Sequence, residues 1–196
     1  MKEFAPACER NKAFILDVLQ EVLVEPGTVY EIGSGTGQHA AYFAKHLPHL
    51  NWRPCDLPER HASIGAYLSD AGLRNLLPPL EIDLLDEHWP IGAADAVVCI
   101  NTIHIVAWRG VENLFRGVGK SLRANGIFYV YGPYRYADRP LEPSNERFDE
   151  WLKLRDPVSG VRAFEDIDAL AQANGLEFVG DRPMPANNRS IWWRKR

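Results

Sequence analysis

Cysteine is scarce in this sequence of 196 residues, and long apolar runs are missing. The three cysteines, Cys8, Cys55 and Cys99, are odd in number and form no CxxC pair. This pattern argues against a disulfide framework and a zinc site, so we expect no metal and a reducing, cytoplasmic setting. No stretch reaches the length of a membrane span, and the N-terminal segment MKEFAPACERNK lacks the apolar core of a secretory signal. We therefore expect no membrane partner.

Excess positive charge is also missing. The chain has 22 Lys and Arg against 26 Asp and Glu, a formal net charge of −4. This balance argues against a nucleic-acid surface that depends on bulk charge. Hydrophobic residues make up 46% of the chain, which is typical of a globular protein, and the length suits a single domain over residues 1–196.

Strand and helix patterns alternate along the first 131 residues, and a close pair of strands ends the chain. Strands are predicted at 28–32, 51–56, 80–84, 94–100, 127–131, 176–180 and 190–193. Helices are predicted from Asn11 onward and at 38–47, 58–71, 111–122, 145–155 and 165–174, with Asn125-Gly126 closing the fourth. The stretch 132–144 is predicted as a long loop. The alternation predicts an α/β fold with a mostly parallel sheet and helices on both faces.

A glycine-rich turn follows the first predicted strand, in the segment Glu31-Ile-Gly33-Ser-Gly35-Thr-Gly37. Glycines at a strand-to-helix turn adopt dihedral angles that other residues avoid, and they let a ligand approach the backbone closely. The next helix offers free N–H groups and the positive end of its dipole, which favour an anionic group. The position of the last glycine in the dinucleotide fingerprint G-x-G-x-x-G is not a glycine in this sequence, and this disfavours NAD.

Two acidic residues accompany the next two predicted strands. Asp56 ends the second strand, where a carboxylate can accept hydrogen bonds from both hydroxyls of a ribose. Asp83 lies in the third, where an acid can meet an adenine amino group. Each acid alone is typical of a solvated surface. With Glu31, however, they predict a ligand crevice at the carboxyl ends of the strands.

This ordered set of residues resembles the class I S-adenosylmethionine-dependent methyltransferases. The segments SGTGQHAAYFAKHLPHL, CINTIHIVAW, YGPY, PSNERFD and MPANN are similar to a family of uncharacterised methyltransferase-like proteins of bacteria and animals. The resemblance implies a Rossmann-like, seven-stranded sheet with an antiparallel final strand, S-adenosylmethionine as cofactor and S-adenosylhomocysteine as product. The cofactor site is assigned to Glu31, Gly33, Ser34, Gly35, Gly37, Asp56, Leu57, Asp83, Leu84 and Asn101.

His104 is the main candidate for proton transfer, because it follows the fourth strand and has an ordinary pKa near neutrality. The alternative is a structural role in which His104 holds a neighbouring loop. The other five histidines are expected at the surface: His39, His46, His49, His61 and His88. No Asn/Asp-Pro-Pro-aromatic segment follows this strand, which disfavours transfer to a planar amino group.

Aromatic and basic residues follow the fifth strand. Tyr131 and Tyr134 are assigned to the catalytic site, where their rings would favour a sulfonium or an amine cation. Arg135 and Arg139 can hold an acidic substrate. The alternative is a lid whose tyrosines pack on the core and whose arginines are solvated.

Further substrate contacts are assigned to Arg10 and Asn11, expected just before the first helix, and to Asn145. The segment 1–12 and the insertion 132–164 are expected to cover the active site. Together these features predict a methyltransferase that acts on a small molecule. The alternatives are a non-catalytic protein that binds S-adenosylmethionine or S-adenosylhomocysteine, and an NAD(P)-linked oxidoreductase. An oligomer is possible, with Trp192 and Trp193 as candidate interface residues.

Overall fold

A seven-stranded sheet forms the centre of the molecule, which is described by a computed structural model covering residues 1–87 and 89–196. The strands are β1 (Gly27–Ile32), β2 (Leu50–Asp56), β3 (Leu80–Glu81), β4 (Ala94–Ile100), β5 (Leu122–Gly132), β6 (Tyr134–Arg135), β7 (Arg162–Ala163), β8 (Leu176–Met184) and β9 (Asn188–Lys195). The helices are α1 (Pro6–Val22), α2 (Gln38–His46), α3 (Pro58–Ala71), α4 (Trp108–Ser121), α5 (Pro143–Arg155) and α6 (Phe164–Ala173). His88, predicted to be a surface residue, lies outside the described residues.

The order of strands in the main sheet is β3-β2-β1-β4-β5-β9-β8. Strands β1 to β5 pair in parallel, and β9 runs antiparallel to both β5 and β8. The predicted α/β class, the mostly parallel sheet of seven strands and the antiparallel final strand are therefore confirmed. The order reverses between β1 and β4, and open parallel sheets bind their ligands at such a reversal.

Two apolar layers cover the two faces of the sheet. On one face α1 and α2 pack through buried side chains such as Leu19 and Phe43. On the other face α4 and α6 pack through Phe115 and Ile167. Burial of such side chains is the main stabilising contribution in a domain of this size. None of the described helices combines the length and apolarity needed to cross a bilayer.

Several predicted boundaries need correction. The first helix begins at Pro6 rather than near Asn11, because Pro6 suits the first helical turn, so Arg10 and Asn11 lie inside α1 and do not precede it. Strand β3 ends at Glu81, which leaves Asp83 in the turn after it. There the Asp83 carboxylate accepts the backbone N–H of Leu85 and stabilises the turn.

The segment around Asn125-Gly126 does not end a helix. Helix α4 stops at Ser121, and the two residues lie within β5, where Asn125 has φ 68° and the register with β4 shifts. The stretch 132–144 is not wholly a loop either, since β6 within it pairs in parallel with β7.

The aromatic residues near the C-terminus do not form an exposed surface. Trp193 is fully buried and donates its indole N–H to Asp168, while Trp192 packs against the core. The expectation that Trp193 is exposed is therefore wrong, and an interface that involves the partly buried Trp192 stays a prediction.

Candidate functional site

The glycine turn between β1 and α2 has left-handed backbone at all three of its glycines. Gly33, Gly35 and Gly37 have φ of 74°, 56° and 91°. A β-carbon at Gly33 would lie 2.4 Å from the hydroxyl oxygen of Thr102, and one at Gly37 would lie 2.9 Å from the Cα of Ile64. A β-carbon at Gly35 would meet nothing within 4 Å. Two glycines therefore allow close packing, and the middle one faces open space.

The turn is fastened to the end of β2. Ser34 Oγ donates to the Glu31 carbonyl at 2.9 Å and accepts the N–H of Cys55 at 3.1 Å. The Asp56 carboxylate accepts the N–H of Gly35 at 2.6 Å and that of Leu57 at 2.8 Å. Burial raises the pKa of Asp56, and these backbone donors oppose the shift. Asp56 therefore positions the glycine turn.

A cavity of about 680 Å³ opens above this turn, and we call it the strand-tip cavity. It lies at the carboxyl ends of the strands, and its volume is within the usual range for a small-molecule site. The predicted cofactor residues that line it are Gly33, Ser34, Gly35, Asp56, Leu57, Asp83, Leu84 and Asn101. Glu31 and Gly37 are not among its lining residues.

Glu31 lies beneath the cavity and not in its wall. Its side chain is 1% exposed and accepts the indole N–H of Trp52 at 2.6 Å. Burial raises the pKa of this carboxyl to about 8, against the opposing effect of the Trp52 hydrogen bond. In the ligand-free protein Glu31 is therefore mainly protonated at neutral pH.

Replacing Glu31 by Gln is expected to flatten the dependence of stability on pH. The raised pKa means that the folded state keeps a proton that the unfolded state loses, so stability falls as pH rises from 4.5 to about 8. Between pH 7 and pH 9 the free energy of unfolding of the wild type should fall by about 1 kcal/mol more than that of Glu31→Gln, as measured by urea unfolding without ligand. The exposed Glu81→Gln should follow the wild type. If the free energies of unfolding of Glu31→Gln and the wild type changed with pH in parallel, the Glu31 carboxyl would not be protonated in the folded protein at neutral pH.

A second cavity, of about 890 Å³, lies beside the first, and we call it the amide cavity because four asparagine side chains face it besides Asn101. Its predicted site residues are Arg10, Asn11, Asn101, His104, Tyr131 and Asn145. Ala7 and Asn101 line both cavities, so the two spaces meet at these residues. The structure thus brings most of the predicted catalytic and substrate residues next to most of the predicted cofactor residues.

Strained backbone is concentrated around the amide cavity. Asn101, Ala186 and Asn187 have φ of 53°, 56° and 57°, and all three line this cavity. Residues other than glycine rarely adopt this conformation, and where they do the strain clusters at binding sites. Asn101 keeps its position because its N–H donates to the Tyr131 carbonyl at 2.9 Å.

His104 is nearly enclosed by the wall of the amide cavity. Its ring is 4% exposed and packs edge-on against Phe148 at 5.4 Å between centroids. The Nδ1 atom is buried without a hydrogen-bond partner among the described residues. Burial, together with the nearby Arg162 guanidinium, lowers the pKa of His104 to about 4. His104 is therefore a neutral imidazole at physiological pH.

Arg162 holds the loop that carries His104. Its guanidinium donates to the carbonyls of Ile103 at 3.0 Å, Val106 at 2.5 Å and Val158 at 2.9 Å. The His104 carbonyl accepts the N–H of Gly160 at 2.9 Å. The loop after β4 is thereby fixed to the segment before β7.

A chain of polar contacts joins the two cavities. The ring of His39, which lines the strand-tip cavity, lies 2.7 Å from the Asn11 side-chain oxygen, and Asn11 lines the amide cavity. Burial raises the pKa of Tyr131, and its hydrogen bond with Asn11 acts in the opposite direction. His39 was predicted at the surface but is 5% exposed, because α1 covers it. Burial lowers the pKa of His39 to about 4.

Three predicted residues of the 132–139 stretch lie outside the amide cavity. Tyr134 is 3% exposed, packs in the core and leaves its buried hydroxyl without a partner among the described residues. Arg135 pairs with Asp149 at 3.2 Å. Arg139 pairs with Asp138 at 3.1 Å and lies over the ring of Tyr136. This part of the chain matches the alternative of a packed lid more closely than that of an acceptor pocket.

Sequence reasoning missed several wall residues. Ala7 and Cys8 of α1 reach the strand-tip cavity, and Phe148 of α5 and Ala186 reach the amide cavity. None of these residues belongs to a sequence motif that indicates a binding site. Asn187, directly before β9, was the one available indication, since asparagine tolerates left-handed backbone.

Comparison with known proteins agrees with the architecture. A family model described as "Protein of unknown function (DUF938)" matches residues 2–195. A curated relative, methyltransferase tpcM of Aspergillus fumigatus, is 24% identical over 127 residues, which is 63% of this chain and 37% of that protein. The chain therefore spans little more than a third of this relative.

Solved methyltransferase structures share the fold. An O-methyltransferase family protein from Burkholderia thailandensis matches with a TM-score of 0.84 and 19% identity, over 96% of this chain and 57% of that one. Human N-acetylserotonin methyltransferase, solved in complex with SAM, matches with a TM-score of 0.79 and 18% identity, over 96% of this chain and 52% of that one. The chain covers just over half of each, and at this identity the likeness establishes a common fold.

Proposed function

This chain belongs to the DUF938 family, and we propose that it is a methyltransferase that uses S-adenosylmethionine to methylate a small molecule. The observation that carries the proposal is the junction of two cavities at the carboxyl ends of the strands. The fold shared with solved methyltransferases, one of them in complex with SAM, supports the same assignment.

The strand-tip cavity fits S-adenosylmethionine. Gly35 leaves open space beside the backbone, which suits close approach by a ligand. Asp56 is placed to accept hydrogen bonds from ribose hydroxyls, and Asp83 from an adenine amino group. The apolar Ile82 and Leu84 also line the cavity and suit a purine ring. Bound there, the cofactor would supply a methyl group on a sulfonium, which is an electrophile.

The amide cavity suits the acceptor. Methyl transfer requires an acceptor atom in line with the methyl group and protected from water. Asn101 lines both cavities and lies near His104. We therefore place the contact between the cofactor and the acceptor beside Asn101. The segment 1–12 and the insertion 132–164 contribute Ala7 and Phe148 to the walls, which supports their proposed role in covering the site.

A ligand panel tests the proposal. S-Adenosylmethionine and S-adenosylhomocysteine should stabilise the protein, by about 2.7 kcal/mol at 100 times the Kd, whereas NAD and NADP should not. Labelled S-adenosylmethionine should then transfer its methyl group to a component of a deproteinised small-molecule extract. His104→Ala should bind S-adenosylhomocysteine as tightly as the wild type but transfer more slowly, because the ring forms part of the amide-cavity wall that orients the acceptor. Stabilisation by NAD would favour the oxidoreductase, and binding without transfer to any fraction would favour the non-catalytic binding protein.

A further inference from the structure

The amide cavity presents hydrogen-bond donors and no carboxylate. Arg10, Asn11, Asn101 and Tyr131 line it, and no Asp or Glu is among the described residues of its wall. Arg10 has no carboxylate partner in the described part of the chain. The neighbouring Glu9 carboxylate pairs instead with Lys12 and accepts a hydrogen bond from Gln38. The cavity therefore carries an unneutralised positive charge.

The remaining amide groups of the wall are already engaged. Asn145 donates to the Asn187 carbonyl at 2.9 Å, Asn187 donates to Ser144 Oγ at 2.9 Å, and Asn188 donates to the Pro185 carbonyl at 3.1 Å. These asparagines hold α5 against the turn before β9. The donors left for a ligand are those of Arg10 and Asn101, because the side-chain amide of Asn11 already contacts both His39 and Tyr131.

The cavity also lacks a strong base. His104 is its one histidine among the described residues, and its Nδ1 has no acidic partner to raise its basicity. Its surroundings are the ring of Phe148, the backbone of Gly132 and the Arg162 guanidinium, and the pKa is about 4. Such an imidazole removes a proton from an alcohol or an ammonium group poorly. An acceptor that is ionised before it binds needs no such removal.

We propose, resting on the proposed function, that the acceptor is a small carboxylic acid bound as its carboxylate, with Arg10 and the free amide of Asn101 holding it. A carboxylate has a pKa near 4 and is ionised at neutral pH, and guanidinium and amide N–H groups are its ordinary partners. In the reaction one carboxylate oxygen forms a bond to the methyl carbon while the carbon–sulfur bond breaks, and that electron pair stays on sulfur. A negative and a positive charge disappear, an ester and a thioether form, and no proton moves.

The chemical nature of the product tests this inference. The protein is incubated with S-adenosylmethionine labelled in the methyl group and with anionic, neutral and cationic fractions of a deproteinised small-molecule extract. We expect label in the anionic fraction, released as volatile methanol by mild alkali, since esters hydrolyse there. Label that resists alkali overturns the carboxylate acceptor and leaves the proposed function standing. No transfer to any fraction overturns the proposed function itself.

Binding gives a second readout that does not depend on turnover. With S-adenosylhomocysteine present, benzoate should raise the melting temperature more than the uncharged benzamide. Arg10→Gln should abolish this difference and reduce transfer to the anionic fraction at least tenfold, while Arg10→Lys should keep part of both. Arg74→Gln, which removes an exposed charge outside both cavities, should behave like the wild type. Equal shifts with benzoate and benzamide in the wild type would overturn the inference.

Discussion

Replacing Gly37 by alanine is expected to lower the free energy of unfolding by about 2–4 kcal/mol. The backbone there has φ 91°, and a β-carbon would lie 2.9 Å from the Cα of Ile64 in α3. The left-handed conformation costs about 1–2 kcal/mol for a residue with a β-carbon, and the contact with main chain forces α2 and α3 apart. The melting temperature should fall by roughly 10 °C, measured by differential scanning calorimetry.

Two other glycines separate the contributions to this loss. Gly72→Ala has the same kind of backbone, with φ 59°, but meets nothing within 4 Å, so it should cost only about 1 kcal/mol. Gly35→Ala should also fold, yet it projects a methyl group into the strand-tip cavity and should weaken binding of S-adenosylhomocysteine. If Gly37→Ala were no less stable than Gly72→Ala, the close contact between Gly37 and Ile64 would contribute nothing to the loss of stability.

Replacing Asp56 by alanine is expected to weaken binding of S-adenosylhomocysteine roughly 5- to 150-fold, equivalent to about 1–3 kcal/mol. Two losses contribute. The variant lacks the carboxylate proposed to bind the ribose, and the N–H groups of Gly35 and Leu57 lose their acceptor, so the glycine turn is less well ordered. Isothermal titration calorimetry measures the effect directly.

Matched variants identify what Asp56 supplies. Asp56→Asn keeps one oxygen acceptor without the charge and should bind with intermediate affinity. Asp86→Ala removes an exposed acid that lines neither cavity, and its affinity should equal that of the wild type. Unchanged affinity in Asp56→Ala would remove this residue from the proposed cofactor site.

Local signals account for the parts of the fold that were predicted well. Helix α3 was predicted at 58–71 and spans Pro58–Ala71, because proline suits a first helical turn and Gly72 adopts the left-handed cap. The strand-tip cavity was largely predicted too. Its glycines and its acids occur at strand ends, and parallel strands bring their carboxyl ends to one edge.

The amide cavity was harder to predict because its walls come from distant parts of the chain. Phe148 looks like an ordinary helical apolar residue, and Ala186 gives no sign of its left-handed backbone. The burial of Glu31 depends on a hydrogen bond from Trp52, which no local pattern indicates. Asn125-Gly126 illustrates a different difficulty, since the pair suits a helix end and a strand irregularity equally well.

The reversed direction of β9 has a consequence for how this protein can diversify. Because β9 runs against β5, the hairpin tip that precedes it, Pro185–Asn187, comes to the same rim as the carboxyl end of β5. That tip borders the amide cavity and is absent from the wall of the strand-tip cavity. Exchanging a few residues at the tip would alter which acceptors fit while leaving the glycine turn untouched. If the proposed function holds, substrate range and cofactor use are set by separable stretches of the chain, and a library confined to this hairpin is a direct route to new acceptors.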